Sequence, residues 1–158
     1  MKPAVIATPQ LSAPLQLSGK VFAVCGLWLV ALGVYFLLFR PALLPEDTRF
    51  MGTSIGLLRA TAPSIELWLG HVFNVMGGFM VATGAMTTFV AFRHLARRSA
   101  GTLAVLAFAG ISSVALMSAT NFALHSDFRW LLLVPALLWL AGLLCYLWEG
   151  TRKPTVQE

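Results

Sequence analysis

Apolar residues are gathered in four long blocks that short polar segments separate. The blocks cover 21–39, 67–92, 102–123 and 130–148, and His71 is the only His, Asp, Glu, Lys or Arg inside them. A helical membrane span needs about 20 mostly apolar residues, and no block shows the two-residue alternation of a barrel strand. The pattern therefore predicts an all-α, polytopic membrane protein, with four transmembrane helices in an antiparallel bundle.

The polar segments define how we expect the chain to be organised, as a single membrane domain over 1–158. They are a lead (1–20), a first outer loop (40–66), a cytoplasmic loop (93–101), a second outer loop (124–129) and a tail (149–158). Beside four spans, too few residues remain for a second folded domain.

Composition excludes several classes of soluble protein. Hydrophobic residues make up 58% of the 158 residues and charged residues 11%, whereas soluble domains carry about 25% charged residues. The charged side chains are too few to solvate a globule of this size, and the chain is too apolar to be disordered. The net charge of +5 does not indicate nucleic-acid binding, because the pattern leaves no soluble domain that could present this charge to nucleic acid. The expected partners are the lipid bilayer and other membrane subunits, or a second copy of the chain, and not nucleic acid.

The distribution of Lys and Arg predicts the orientation. Four spans place both termini on one side, and the 11 cations then divide seven to four between the two sides. The larger group is Lys2, Lys20, Arg93, Arg97, Arg98, Arg152 and Lys153, and the smaller is Arg40, Arg49, Arg59 and Arg129. Because cytoplasmic loops carry the excess of cations, we expect both termini in the cytoplasm of a bacterial-type inner (plasma) membrane.

The first outer loop contains a charged motif of Glu46, Asp47 and Arg49 that follows Pro45. Proline suits the first position of a helix, and acidic residues stabilise its first turn. We expect one short amphipathic helix here, ended by Pro63, that lies along the outer interface or caps the bundle. The motif could act as an acid, a base or a substrate clamp, but a capped helix with a paired arginine explains it more simply.

Glycines mark the second block as the main packing helix. Gly70 and Gly78 belong to a row of small or short residues at four-residue spacing, the pattern by which membrane helices approach closely. Gly77 and Gly84 widen this smooth face.

Five polar residues of the second block, the third block and the loop that directly follows it are expected to converge near the outer surface. They are His71, Asn74, Ser118, Asn121 and His125. Within each block their spacing places them on one helix face, and an antiparallel arrangement about the short loop brings both sets to similar depth. Such a cluster either ties the two helices together or forms a binding site, in which His71 and His125 would hold a metal, a haem iron or a quinone head group.

No sequence motif identifies a reaction. The chain has no G-x-S-x-G, H-E-x-x-H, P-loop or G-x-G-x-x-G motif, so we do not expect an enzyme or a resident cofactor. The favoured interpretation is a non-catalytic accessory, assembly or structural subunit of a larger membrane complex. The alternatives are a redox or cofactor-binding protein that uses His71 and His125, and a small-molecule or lipid carrier with a pocket under the outer helix.

Overall fold

The computed structural model describes residues 16–151, except for the side chain of Arg97, and within them it is all-helical. The helices are α1 (Leu17–Leu38), α2 (Pro45–Met51), α3 (Ile55–Thr61), α4 (Ile65–Arg93), a 3₁₀ turn (Leu95–Arg97), α5 (Ala100–Gly110), a π-helical turn (Ile111–Ala115), α6 (Leu116–Ala123) and α7 (Arg129–Thr151). Most of the predicted lead and tail lie outside the described residues.

Four helices are long and apolar enough to cross a membrane. They are α1, α4, the continuous helix from Ala100 to Ala123, and α7. The prediction of an all-helical chain with four candidate spans is therefore confirmed.

The four long helices run alternately up and down, but neighbours in sequence are not always neighbours in space. α1 packs along both α4 and α7, and the helix that contains α5 and α6 packs on α7. The second and third long helices therefore do not form one of the main interfaces of the described chain. We name the two ends of the helices by their residues: the α2 end, and the Arg98 end, where α4 finishes and α5 begins.

Glycines bring the backbones of α1 and α4 into contact. A Cβ atom added to Gly33 would lie 2.7 Å from the carbonyl oxygen of Gly77, and one added to Gly26 would lie 2.7 Å from the carbonyl oxygen of Gly84. The two glycines of α1, Gly26 and Gly33, are seven residues apart, and so are the two glycines of α4, Gly77 and Gly84; seven residues are about two helical turns. Only glycine permits this approach, so the two pairs fix how α1 and α4 lie against each other.

The core where α1, α5 and α7 meet is built around Trp139. Its indole N–H donates to the carbonyl oxygen of Leu106 at 2.9 Å, and its ring meets the ring of Phe22 edge to face, with 5.5 Å between centroids. Gly110 and Gly142 make room for these two rings. Both aromatic side chains are almost completely buried, so this contact links three of the four long helices.

The first outer loop forms two short helices instead of the single helix that we predicted. Gly52 stops α2 in a left-handed conformation with φ of +65°, a region that glycine enters without steric cost. The hydroxyl of Ser54 then accepts from the backbone N–H of Leu57 and starts α3. The apolar spacing across this loop suggested one helix because it ignores the break at Gly52.

Candidate functional site

The α2 end of the protein is held together by Glu46. Its carboxylate accepts from the hydroxyl of Ser126 at 2.9 Å and from the backbone N–H of Asp127 at 2.7 Å. Ser126 is buried, and its Oγ also accepts from the backbone N–H of Phe128. Glu46 therefore fixes α2 to the turn between α6 and α7, about 80 residues away in sequence.

Asp47 and Arg40 form an ion pair at the same end of the protein. Asp47 accepts from the backbone N–H of Leu44 at 2.8 Å, which caps the first turn of α2. Its Oδ2 lies 3.7 Å from Nη2 of Arg40, whose side chain is only 10% exposed. The Arg40 guanidinium stacks on the ring of Phe73 of α4, with Cζ 3.5 Å from the centroid. Burial lowers the pKa of Arg40 from its ordinary value, and the Asp47 carboxylate opposes that shift.

Arg49, the third member of the charged motif, points to the surface. It pairs with Asp127 at 2.8 Å, and both side chains are more than half exposed. Exposed pairs of this kind add little stability. Glu46 and Arg49 thus contact the α6–α7 turn, whereas Asp47 caps its own helix.

Two adjoining cavities lie at the α2 end, with volumes of about 240 and 370 Å³. The smaller lies between α2, α4 and α6, and the larger lies between α1, α7 and the start of α2. Four polar residues line both of them: Arg40, Glu46, Asn121 and Ser126. Most of the remaining lining is apolar, so the cavities combine a small polar region with hydrocarbon walls.

The structure brings only part of the expected polar cluster to this place. Asn121 lines both cavities, and its side-chain amide donates to the carbonyl oxygen of Met117 at 2.9 Å. Ser118 is buried on the same helix. His71 and Asn74, in contrast, lie on an exposed side of α4. The physical reason is the glycine contact: α4 turns Gly77 and Gly84 toward α1, which leaves these two polar residues without a neighbouring helix.

The two histidines lie apart from the cavities. His71 is exposed on α4, and His125 is exposed in the α6–α7 turn, with φ of +52° and its Nδ1 3.1 Å from the carbonyl oxygen of Ala123. Neither lines the two cavities. Within residues 16–151, no three His, Cys, Asp or Glu side chains are grouped closely enough to hold a metal ion.

The four glycines of the predicted packing face differ in their surroundings. Gly77 and Gly84 contact α1, whereas nothing lies within 4 Å of a Cβ atom added to Gly70 or Gly78. Gly70 precedes Gly77 by seven residues and shares its row, but α1 ends before it reaches this level. The four-residue row that we expected to pack closely against a neighbouring helix is therefore open, within residues 16–151, at both of its glycines.

Sequence reasoning missed Arg40 and Ser126 as members of the site. Arg40 follows two aromatic residues by one turn, Tyr35 and Phe36, and lies at the end of an apolar block. An arginine in that position can stack on nearby rings, which was a usable signal. Ser126 had no such signal, because its partner Glu46 comes from a distant part of the chain.

Comparison with known proteins finds no matching family model, no matching curated protein and no matching solved structure. The class of the protein therefore follows from its fold: it is all-helical over the described residues, with four helices compatible with a multi-pass membrane protein.

Proposed function

We propose that the protein is a non-catalytic subunit of a larger membrane complex and that it docks through one side of α4. The docking row consists of His71, Asn74, Gly78 and Ala82. All four residues are exposed, and they follow one another at spacings of three or four, so they share one side of the helix. The row lies beside the face of α4 that contacts α1.

The observation that carries the proposal is the position of Asn74. It is nine residues after the start of α4 at Ile65, which is about 14 Å along the helix axis. At that depth an amide that faces lipid lacks hydrogen-bond partners, and burying such a group unpaired costs several kcal/mol. Among residues 16–151, the side chains of Asn74 and His71 have no hydrogen-bond partner. A helix from another subunit, or from a second copy, would supply the missing partner.

Gly78 supports the same surface. Nothing lies within 4 Å of a Cβ atom added there, so a partner helix could approach its backbone closely. Membrane helices associate through such small residues and through polar side chains that bond across the interface. The docking row offers both within two turns of α4.

The proposal is tested by extraction of the protein from its own membrane in a mild detergent, followed by native mass spectrometry. Asn74→Leu and Gly78→Leu should each convert the extracted complex to the single chain while the unfolding temperature of that chain stays the same. Met76→Leu is the control, because Met76 is exposed and, at about 100° per residue, lies on roughly the opposite side of α4 from the docking row. If wild-type protein is extracted only as a single chain, or if neither substitution changes the mass, the docking proposal is rejected.

We place this subunit in a bacterial-type inner membrane with both termini in the cytoplasm, on the basis of the seven-to-four division of Lys and Arg. We also propose that it acts without a resident haem or metal. A visible spectrum and metal analysis of the purified protein test this: a Soret band, or a stoichiometric metal that His71→Ala abolishes, would instead favour the redox alternative.

A further inference from the structure

The two cavities at the α2 end are lined by a largely buried cation, Arg40, that has unused hydrogen-bond donors. A guanidinium group has five N–H donors. Among the described residues, Arg40 makes one hydrogen bond, from Nη1 to the carbonyl oxygen of Pro41 at 2.9 Å. The Asp47 carboxylate at 3.7 Å is beyond hydrogen-bond distance. Because the side chain is 10% exposed and lines both cavities, an oxygen atom in either cavity could accept from it.

The charges around the cavities disfavour an anion. Of the cations within residues 16–151, Arg40 alone lines them, and the carboxylates of Glu46 and Asp47 lie beside it. One positive charge thus faces two negative charges. A phosphate or free carboxylate would be repelled by this pair, whereas a carbonyl or hydroxyl oxygen accepts a hydrogen bond from Arg40 without adding charge.

The apolar walls of the larger cavity favour a lipophilic ligand. The larger cavity is lined by Leu32 of α1, which is six residues before the end of that helix, so the cavity reaches about 9 Å below the α2 end. Leu131 and Leu132 of α7 form the facing wall, and Tyr35 and Phe36 of α1 add aromatic surface. The cavity therefore has hydrogen-bonding groups at its outer part and hydrocarbon at the level of the spans.

We propose that these cavities bind an uncharged lipophile whose head group carries carbonyl or hydroxyl oxygens, with the head beside Arg40 and the hydrocarbon part along α1 and α7. Quinones and neutral acylglycerols share this chemistry. The site is separate from the docking row on α4 and does not depend on it.

The test measures saturable binding to purified protein with three probes: decylubiquinone, dioctanoylglycerol and the anionic dioctanoylphosphatidylglycerol. We expect one of the two uncharged probes to bind. The probe that binds shows whether the ligand is a quinone or a neutral acylglycerol. The anionic probe should bind at least about tenfold more weakly. Failure of both uncharged probes to bind, or tighter binding of the anionic probe, would overturn the proposal.

Two variants locate the binding. Arg40→Gln should weaken it about tenfold or more, the effect expected when a hydrogen bond to a charged group is lost. Arg49→Gln is the matched control, because Arg49 is exposed and does not line the cavities. Leu131→Phe narrows the larger cavity and should also weaken binding. Because Leu131 is partly exposed, this variant tests the site if Arg40→Gln does not fold. Wild-type affinity in every variant that folds would place the ligand elsewhere and refute the site.

Discussion

Arg98 and Glu149 form an ion pair at the Arg98 end, with Nη2 of Arg98 2.8 Å from Oε2 of Glu149. The same carboxylate accepts from the backbone N–H and the hydroxyl of Ser18, at 3.1 and 2.6 Å. Arg98 also donates to the backbone carbonyl oxygen of Tyr146 and to the side chain of Gln16. One carboxylate thus connects the start of α1, the loop before α5 and the end of α7.

We predict that Glu149→Gln lowers the free energy of unfolding by about 1–3 kcal/mol, since it removes hydrogen bonds to a charged acceptor that is 14% exposed. Arg98→Gln should have a similar effect, and the double variant should lose less than the sum because the two residues interact directly. Reversible unfolding in mixed micelles measures these values. The exposed pair Arg49–Asp127 is the control, with an expected effect below about 1 kcal/mol. Additive losses for Arg98 and Glu149 would contradict the arrangement.

We predict that Gly84→Leu destabilises the single chain by at least about 1–3 kcal/mol, because its side chain would collide with the backbone of α1 at Gly26 and Val30. Gly78→Leu makes the same chemical change six residues away, where nothing lies within 4 Å. It should leave the unfolding temperature of the single chain unchanged. Equal effects of the two substitutions would mean that α4 is rotated relative to the structure described here.

We predict that Glu46→Gln releases the α6–α7 turn from α2. Hydrogen exchange of the Asp127 amide should become about tenfold faster, since that amide loses a charged acceptor. Arg49→Gln keeps Glu46 intact and should change this exchange rate little, although Arg49 also contacts Asp127. Unchanged exchange in Glu46→Gln would show that Glu46 does not hold the turn.

We predict that reporter fusions at Glu158 and near Thr53 lie on opposite sides of the membrane, with the Glu158 fusion in the cytoplasm. The reason is the excess of Lys and Arg on the side of the termini. A fusion after Glu158 that reports the outer side would reverse the orientation.

The sequence was sufficient to predict the long helices because an apolar block of 20 residues has few alternatives in a membrane. It was not sufficient to predict which helices pack together. We expected His71 and Asn74 to face Ser118 and Asn121 because the second and third blocks are joined by a short loop. The structure packs α4 on α1 instead, and a short loop alone does not make two helices neighbours.

The contact between α1 and α4 did have a signal in the sequence. Gly26 and Gly33 in the first block, like Gly77 and Gly84 in the second, are seven residues apart. Gly19 and Ala91 are also buried, and they extend these two rows at the same spacing. A search limited to four-residue spacing in one block favours Gly70 and Gly78 instead. The matching seven-residue rows in both blocks indicate the antiparallel contact that forms.

The π-helical turn Ile111–Ala115 determines in which direction around the helix axis each side chain of α6 points. Each residue of an α-helix advances the azimuth by about 100°, so one additional residue in a turn rotates all later side chains by roughly that angle. Before the turn, Leu106 of α5 faces Trp139; after it, Asn121 of α6 faces the cavities. Removal of one residue from the turn would rotate Asn121 away from the cavities and keep the Trp139 contact. The third long helix therefore consists of two halves whose facing directions are set separately.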